Sequence, residues 1–428
     1  MSEQQALLRA VIDRPQEDAP RLVYADWLEE YGRTEADRAR AAFIRLQVEA
    51  ARLDEYDPRR LDLEGQAEAL LNAQREHGEP RAWLAGLEGL GVNHHYTSFE
   101  RGFPAVATVK PDELLDRGDQ LWAVTPIRRL SLWEGWQPGE NRDAELTRCP
   151  HLARVRSLNL TGVPSSTDGL AALLASPHLA GLHSLGLYSW PEQPWLQALL
   201  VSPLVRTLTG LALASPHPVG DVQALVRSGL LDRLRTLHFQ SRPAFPWTAE
   251  ASQALAAGPT DRLESLGWGV AGLAGPALRA LTAGPPLRGL KSLSVVNNNF
   301  RPAALAALTE WLASDRLPSL EALHIGYCNL RAADAATLAA CPGLARLREL
   351  DLTGGGIGNN GARALAASPH LTNLRVLRLE SNGIQSPGAR ALAESPHLQG
   401  LRVLDLAWNP IPAKTRKAIH RIRPGVFR

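Results

Sequence analysis

The stretch LRVLRLESNGIQSPGARALAESPHL, residues 374–398, is the clearest example of a unit that recurs along this 428-residue chain. Leu374, Leu377 and Leu379 are spaced to supply the inward side chains of a short strand. Asn382 follows at a position where a buried amide can hydrogen-bond the backbone of a turn. The first half of the unit therefore predicts a strand that ends in a side-chain-stabilised turn.

The second half of the unit predicts a short helix. Ile384 returns the chain to the core, and Gly388 precedes a segment whose apolar face carries Ala391 and Leu392. Pro396 cannot continue a helix and marks its end. Strand, turn, helix and return thus make one coil.

The strand pattern L-x-x-L-x-L recurs from about residue 127 to the C-terminus at intervals of 26–30 residues. Coils of this size cannot bury their apolar edges alone, so stacked coils share one core. The middle leucines of the recurring segments are Leu130, Leu158, Leu185, Leu211, Leu237, Leu266, Leu293, Leu323, Leu350, Leu377 and Leu404.

This unit resembles the ribonuclease-inhibitor-like class of leucine-rich repeats, L-x-x-L-x-L-x-x-N-x-I followed by a glycine and a helix. Asn298, Asn382 and Asn409 occupy the asparagine position of that pattern. The resemblance implies an α/β solenoid with parallel strands on the concave face and helices on the convex face. The third to sixth units depart from the pattern, because YSWPEQPW, LASPHPVG and FQSRPAFPW replace the asparagine turn.

Residues 1–80 lack the leucine pattern and show helical periodicity instead. The predicted helices are roughly 3–13, 20–31, 35–53 and 59–76. The segments DAPRLVYADWLEEYG and AAFIRLQVEAARL resemble the repeat-companion domain, a short bacterial module that precedes repeats. That resemblance implies an all-α domain in front of a repeat array and brings no established activity.

The second predicted helix combines apolar and charged positions. We expect Leu22, Val23, Trp27 and Leu28 to form its buried face, with Arg21, Asp26, Glu29 and Glu30 on the solvated side. Asp26 has an alternative role in the bundle as a partner of Arg45. The segment Tyr24–Trp27 is interpreted mainly as structural, and partner contact remains the alternative.

The domain boundaries follow from these patterns. Residues 1–80 form the helical domain, and residues 81–126 form the junction and the N-terminal cap of the solenoid. About 11 units of about 27 residues occupy residues 127–411. Residues 412–428 form a C-terminal capping helix and a basic tail, with Ile419 and Ile422 facing the last coil.

Composition limits the class of protein. With 45% hydrophobic and 21% charged residues, the composition is that of an ordinary folded protein. No apolar run predicts a membrane span or a secretion signal. Three scattered cysteines favour the reducing cytoplasm. Residues 1–80 carry a net charge of −7 and the remainder +9, without a dense basic block, so we predict no nucleic-acid partner. The expected state is a monomer.

The chain lacks the common phosphate-loop, dinucleotide, zinc-protease and serine-hydrolase motifs. Cys149, Cys328 and Cys341 fall at recurring positions of the unit, and the pair His94–His95 lies in the junction. The recurring histidines in the P-H-L segments are predicted to cap helix C-termini; they are His151, His178, His370 and His397. We therefore predict no catalytic residue, no metal and no cofactor.

The residues that point to the predicted concave face divide into two groups. The aromatic group, with its adjoining loops, contains Trp133, Trp136, Tyr188, Trp190, Trp195, Phe245 and Trp247. The polar group contains His238, His324, Asp351, Arg378, Glu380 and Asp405, and Glu349 and Trp408 cluster with its last four members. The tryptophans either form a binding patch or fold back over irregular loops, and the charges are either a site or a solvated face.

These observations favour a protein-interaction scaffold that binds a macromolecular partner through the concave face and the adjoining loops. A regulator of an enzyme, of the inhibitor or GTPase-activating type, is the first alternative, because ribonuclease-inhibitor-like repeats also occur in such proteins. The second alternative is an enzyme without a recognisable motif, which uses Asp351, Arg378, Glu380 and Asp405.

Overall fold

The computed structural model describes most of the chain. The described residues are 2–76, 83, 87, 90, 92, 98–133, 142–162, 164, 166–188, 195–214, 218–240, 246–270, 272–300, 302–423 and 425–426. They fall into two compact units, Met1–Leu208 and Thr209–Arg428. No described helix has the length and apolar composition that crossing a bilayer requires.

The first unit begins with helices at the predicted places. Ser2 and Thr34 open the first and third helices, because their hydroxyls accept hydrogen bonds from the backbone N–H groups of Gln5 and Asp37. The third helix ends three residues earlier than expected. The helices are α1 (Glu3–Asp13), α2 (Ala19–Tyr31), α3 (Glu35–Ala50) and α4 (Pro58–Glu76).

The buried face of α2 differs from the prediction in two residues. Val23 is exposed, whereas Arg21 is only 4% exposed and lies on the same face as Tyr24, Ala25 and Leu28. Positions separated by three, four and seven residues share one side of a helix, so the buried stripe runs through Arg21. The predicted alternative for Asp26 is confirmed by its ion pair with Arg45, with 2.7 Å between Oδ1 and Nη2.

The rest of the first unit consists of strands and short helices. The middle leucines of adjacent coils lie side by side, Leu130 beside Leu158 and Leu158 beside Leu185, in a parallel sheet that begins at the predicted cap strand. The strands are β1 (Phe99–Glu100) and β2 (Phe103–Pro104), an antiparallel pair, and then β3 (Val106–Val109), β4 (Arg129–Leu132), β5 (Ser157–Thr161) and β6 (Ser184–Tyr188). The helices are α5 (Pro111–Val124), α6 (Asp143–Thr147), α7 (Thr167–Leu174) and α8 (Trp195–Val201).

The second unit repeats the same coil more regularly. Its strands pair in parallel with Leu211, Leu237, Leu266, Leu293, Leu323, Leu350, Leu377 and Leu404 in register. The strands are β7 (Gly210–Ala214), β8 (Thr236–Gln240), β9 (Ser265–Gly269), β10 (Ser292–Ser294), β11 (Ala322–His324), β12 (Glu349–Asp351), β13 (Val376–Arg378) and β14 (Val403–Asp405). The predicted α/β solenoid of parallel strands is confirmed.

Helices alternate with the strands of the second unit and pack beside one another. They are α9 (Pro218–Ser228), α10 (Ala249–Ala256), α11 (Gly275–Thr282), α12 (Pro302–Ala313), α13 (Ala332–Ala339), α14 (Gly358–Ala366), α15 (Ser386–Glu394) and α16 (Ala413–Ile422). In α15 the buried positions are Ala389, Leu392 and Ala393, whereas Ala391, which we expected on the apolar face, is only half-buried.

A serine ladder connects successive helix ends. The hydroxyl of each serine before P-H-L donates a hydrogen bond to a carbonyl 29 residues earlier, at the end of the preceding helix. The pairs are Ser176 with Thr147, Ser368 with Ala339 and Ser395 with Ala366, at 2.6, 2.5 and 2.5 Å. The serines therefore make the contacts that we predicted for the neighbouring histidines.

The C-terminal cap also uses a polar side chain. Ile419 is buried as predicted, but Ile422 is 46% exposed, so its predicted contact with the last coil is wrong. Arg423 is buried instead and donates hydrogen bonds to the carbonyls of Ala393, Leu398 and Ser395, at 3.0, 2.7 and 3.3 Å. The guanidinium thus satisfies backbone acceptors that an isoleucine would leave unpaired.

Candidate interaction surface

A left-handed residue recurs at the end of the strands, four positions after the middle leucine. Glycine and asparagine adopt this conformation at little cost, whereas bulky side chains are strained there. The residues and their φ angles are Gly162 (72°), Val270 (53°), Asn297 (55°), Tyr327 (56°), Gly354 (69°), Ser381 (54°) and Trp408 (54°). At Val270, Tyr327 and Trp408 the coil therefore places a large side chain where a glycine would be less strained.

At four of these turns the residue after the left-handed position stabilises the turn through its side chain; the four are Asn298, Cys328, Asn382 and Asn409. The Nδ2 group of Asn409 donates to the carbonyls of Leu379, Leu406 and Ala407, at 2.8–3.1 Å. Cys328 takes the same position and donates from Sγ to the carbonyl of Val295, at 2.9 Å. Burial raises the pKa of the Cys328 thiol to about 12, so it stays protonated as a donor. This agrees with a structural role for Cys328.

Two aromatic side chains project from these turns in the second unit. Trp408 is 82% exposed and Tyr327 is 55% exposed, although rings of this size are usually buried. Because both occupy the same position of the coil, they line the same edge of the strands. We refer to Tyr327 and Trp408 as the strand-end ridge. The sequence pattern predicts Trp408 as a member of the C-terminal polar cluster, whereas it gives no prediction for Tyr327.

Gly354 supports the ridge. A Cβ atom on Gly354 would lie 2.2 Å from the ring of Tyr327, and its φ of 69° disfavours any other residue. We expect Gly354→Ala to lower the free energy of unfolding by about 1–3 kcal/mol, through backbone strain and the clash with the ring. Chemical denaturation of Gly354→Ala with and without Tyr327→Ala separates the two causes, because only the clash disappears in the double variant. Equal losses in both backgrounds would mean that the ring makes no contribution.

A charged cluster lies beside the ridge, on β12, β13 and β14 and in the turn that follows β13. It consists of Glu349, Asp351, Arg378, Glu380 and Asp405, and Arg378 forms an ion pair with Glu349. Its four carboxylates and one guanidinium give a net charge of −3 when all are ionised.

Backbone contacts hold two carboxylates of the charged cluster in place. Asp351 Oδ1 accepts a hydrogen bond from the backbone N–H of Thr353 at 2.8 Å, and Asp405 Oδ1 accepts one from Ala407 at 2.9 Å. These bonds leave the other oxygen of each carboxylate available. The side chains of both residues are partly exposed. The structure thus brings four of the predicted polar residues together: Asp351, Arg378, Glu380 and Asp405.

The charges of this cluster affect stability in a pH-dependent way. Burial and the neighbouring Asp405 and Asp351 raise the pKa of Glu380 above its ordinary value. A carboxyl whose pKa is raised on folding destabilises the folded state at pH values above that pKa, and this cost disappears as the pH falls below it. We expect Glu380→Gln to raise the unfolding temperature at pH 7 and to have a smaller effect at pH 4. Thermal unfolding at the two pH values is the measurement, and an equal change at both would contradict it.

The predicted histidines lie on the same strand face. His324 Nε2 is 3.9 Å from Glu349 Oε1, and His238 Nε2 is 3.2 Å from Ser265 Oγ. Burial and the proximity of His324 lower the pKa of His238. His324 therefore adjoins the charged cluster, whereas His238 makes a polar contact within its own part of the sheet.

The aromatic group of the sequence analysis is divided by burial. Trp195 and Trp247 are buried, so these two do not form an exposed patch. Trp247 packs against Phe239 and Trp268 and donates a hydrogen bond from Nε1 to Ser252 at 2.9 Å. For both residues the interpretation that the rings fold back into the core is the correct one.

The other aromatic candidates have different positions. Trp133 and Tyr188 are half-buried, and the ammonium of Lys110 lies 5.8 Å from the centre of the Trp133 ring. Burial raises the pKa of Tyr188. Trp136, Trp190 and Phe245 lie outside the described residues.

The described part of the chain contains no cluster of three or more histidine, cysteine or carboxylate side chains that could hold a metal ion. Its cysteines, Cys149, Cys328 and Cys341, are buried and not bonded to one another.

Part of the second unit is similar to a known protein family. A family model described as a leucine-rich repeat matches residues 346–366 and 370–393. No curated protein sequence matches the chain.

Three of the solved structures that resemble the chain share 16% sequence identity with it. The leucine-rich-repeat protein LegL7 from Legionella pneumophila has a TM-score of 0.47, with 68% of this chain and 97% of that chain covered. An internalin from Listeria monocytogenes has a TM-score of 0.36, with 70% and 71% covered. The Rad7 and Elc1 complex in yeast has a TM-score of 0.44, with 100% and 92% covered.

Proposed function

We propose that the chain is a leucine-rich-repeat protein that binds a partner protein through the strand-end ridge and the charged cluster of its second unit. The observation that carries this proposal is Trp408, whose ring is 82% exposed on a left-handed backbone. Exposure of a large ring and strain of its backbone both cost free energy in the isolated protein. Contact with a partner would bury the ring and so offset the cost of its exposure.

The ridge has the composition of a binding hot spot. Tryptophan and tyrosine dominate the affinity of many protein interfaces, because they bury a large rigid surface at a small entropic cost. Rings at equivalent positions of stacked coils lie along one line, at a strand spacing of about 4.8 Å per coil. Tyr327 and Trp408 are three coils apart, so one extended segment of a partner can contact both.

The charged cluster specifies the chemistry of that segment. Its net charge of −3 favours a partner with lysine or arginine beside an apolar side chain. The backbone bonds to Asp351 and Asp405 fix these carboxylates in advance, which reduces the entropy lost on binding. We assign the cluster a binding role and no catalytic one.

The remaining architectural assignments are part of the same proposal. We propose that residues 1–80 are the repeat-companion domain and that the array is of the ribonuclease-inhibitor-like class. The helices of residues 3–76 and the asparagine turns at Asn298, Asn382 and Asn409 support these assignments.

The test is selection of peptides from a displayed random library by the intact chain, followed by calorimetric titration of the enriched peptides. We expect enriched peptides to carry basic residues beside an aromatic or aliphatic one. Trp408→Ala should weaken their binding by about 30-fold or more, the size of an interface hot spot. Val201→Ala is the matched control, since Val201 is an equally exposed apolar residue of the first unit.

The proposal also makes a prediction about salt. Binding of a basic segment to carboxylates weakens as ionic strength rises, because dissolved ions screen partly exposed charges. Enrichment of acidic peptides, or equal affinity of the Trp408→Ala and Val201→Ala variants, would exclude this surface as the binding site.

A further inference from the structure

The first unit contains a cavity of about 190 Å³ lined by four arginines. Arg21 reaches it from α2, and Arg129 reaches it from β4. Arg128 and Arg156 stand two positions before the middle leucines of adjacent coils and therefore lie side by side. Glu100 is the carboxylate among the lining residues, which gives the lining a net charge of +3.

The guanidinium groups of this lining lie close to other positive charges, which repel them. Burial and the nearby Arg101 lower the pKa of Arg21 to about 10. Burial and the neighbouring Arg156 lower the pKa of Arg128. The guanidinium of Arg21 remains protonated at pH 7, since its lowered pKa is still about 10. The folded chain thus holds like charges together at a cost that an anion would remove.

Arg21 is fixed in place by two hydrogen bonds, and neither of them uses its Nε donor. It is 4% exposed, and its Nη1 and Nη2 groups donate to the carbonyls of Arg101 and Pro15, at 3.3 and 2.9 Å. Its Nε is buried and has no hydrogen-bond partner in the described part of the chain. A buried donor of a charged group without a partner is costly and marks a place for an acceptor.

Two other arginines of the lining are also held by the protein. Arg156 Nη1 donates to the carbonyl of Gly181 at 2.9 Å, and Arg129 Nη2 donates to Ser98 Oγ at 3.2 Å. Each guanidinium has further N–H groups beyond those engaged in these bonds. The cavity is therefore preorganised for an acceptor with several oxygens.

We propose that this cavity binds the phosphate group of a small molecule. A phosphate monoester carries a charge of about −1.5 to −2 at pH 7 and three acceptor oxygens, so it compensates the +3 lining better than a carboxylate does. Guanidinium groups match the geometry of phosphate oxygens and are its usual partners. A water molecule occupies roughly 30 Å³ in the liquid, so 190 Å³ has room for a phosphate and a small substituent.

The experiment is calorimetric titration of the full chain with inorganic phosphate and, separately, with glycerol phosphate. Sodium chloride keeps the ionic strength constant. Arg128→Gln removes one guanidinium of the lining and should weaken binding about tenfold or more. Arg402→Gln is the matched control, because Arg402 stands at the same position of a coil in the second unit. It should leave binding unchanged.

Each result has a defined meaning. Binding of both ligands shows recognition of the phosphate itself, whereas binding of the ester alone shows that the substituent contributes. Arg129→Gln is a second variant in case Arg128→Gln does not fold, as judged by circular dichroism. The proposal is wrong if neither ligand binds above the chloride background, or if the Arg128 and Arg402 variants lose affinity equally.

Discussion

Replacing Phe103 with alanine is expected to lower the free energy of unfolding of the first unit by about 3–5 kcal/mol. Phe103 is buried on β2, with its ring centre 5.7 Å from that of Tyr24 on α2. The guanidinium groups of Arg21 and Arg40 lie 5.1 and 5.5 Å from the same ring. Removal of the ring leaves a cavity and deprives two buried cations of an aromatic face.

The measurement is hydrogen exchange resolved along the chain, because a single unfolding midpoint does not distinguish the two units. We expect faster exchange in α1, α2 and α3, with little change in the coils of the second unit. Phe103→Leu is the control, since it keeps most of the apolar volume and should cost much less. Unchanged exchange in the three helices would show that Phe103 does not hold them.

Replacing Asn409 with alanine is expected to lower the free energy of unfolding of the second unit by about 2–4 kcal/mol. Besides its three bonds from Nδ2, its Oδ1 accepts hydrogen bonds from the backbone N–H groups of Asn382 and Ile384, at 3.0 and 2.9 Å. Alanine would leave these buried backbone groups without a partner. Their separate costs are not additive, because water can enter the space that the amide leaves.

Asn409→Cys provides the control for this prediction. Cys328 shows that a thiol in the equivalent turn donates to one carbonyl of the preceding coil, so Asn409→Cys should retain part of the stability that Asn409→Ala loses. Hydrogen exchange of β13 and β14 reports the local effect. If alanine and cysteine were equally tolerated, the amide would not be what stabilises the turn.

The stacking of the coils was predictable because it depends on few residue types. A leucine in the middle of each strand must face the core whatever the rest of the coil does, so its spacing alone predicts the strand register. The asparagine turn is equally predictable from the sequence, because a side-chain amide both donates and accepts hydrogen bonds. Substitution by Cys328 did not obscure it, because a thiol also donates.

The face of α2 was harder to read because residue type and burial disagree there. Arg21 looks like a solvated charge, yet its guanidinium lies over the ring of Phe103 and donates to backbone carbonyls of other segments. One of those acceptors, the carbonyl of Arg101, lies 80 residues away in the sequence, and local periodicity does not identify it. Val23 is exposed because the buried face of α2 passes through Arg21 and not through Val23.

The proposed binding surface was only partly predictable. Asp351, Arg378, Glu380 and Asp405 follow from strand alternation, which places them on one face. Trp195 and Trp247 have the composition of an interface but fill irregular coils, and only packing distinguishes these uses. Tyr327 carries a signal that a sequence can show in retrospect: it occupies the position where neighbouring coils have glycine or asparagine.

Ser395 of the serine ladder and Arg423 of the C-terminal cap bind equivalent backbone carbonyls, so a further coil and the cap can follow the same kind of helix end. Ala393, whose carbonyl binds Arg423, stands 27 residues after Ala366, whose carbonyl binds Ser395. The helix end of one coil thus presents the same acceptor to a following coil or to the cap. Deleting or duplicating whole 27-residue coils before residue 395 would preserve that acceptor, so the number of coils can change in evolution or engineering without a new terminus.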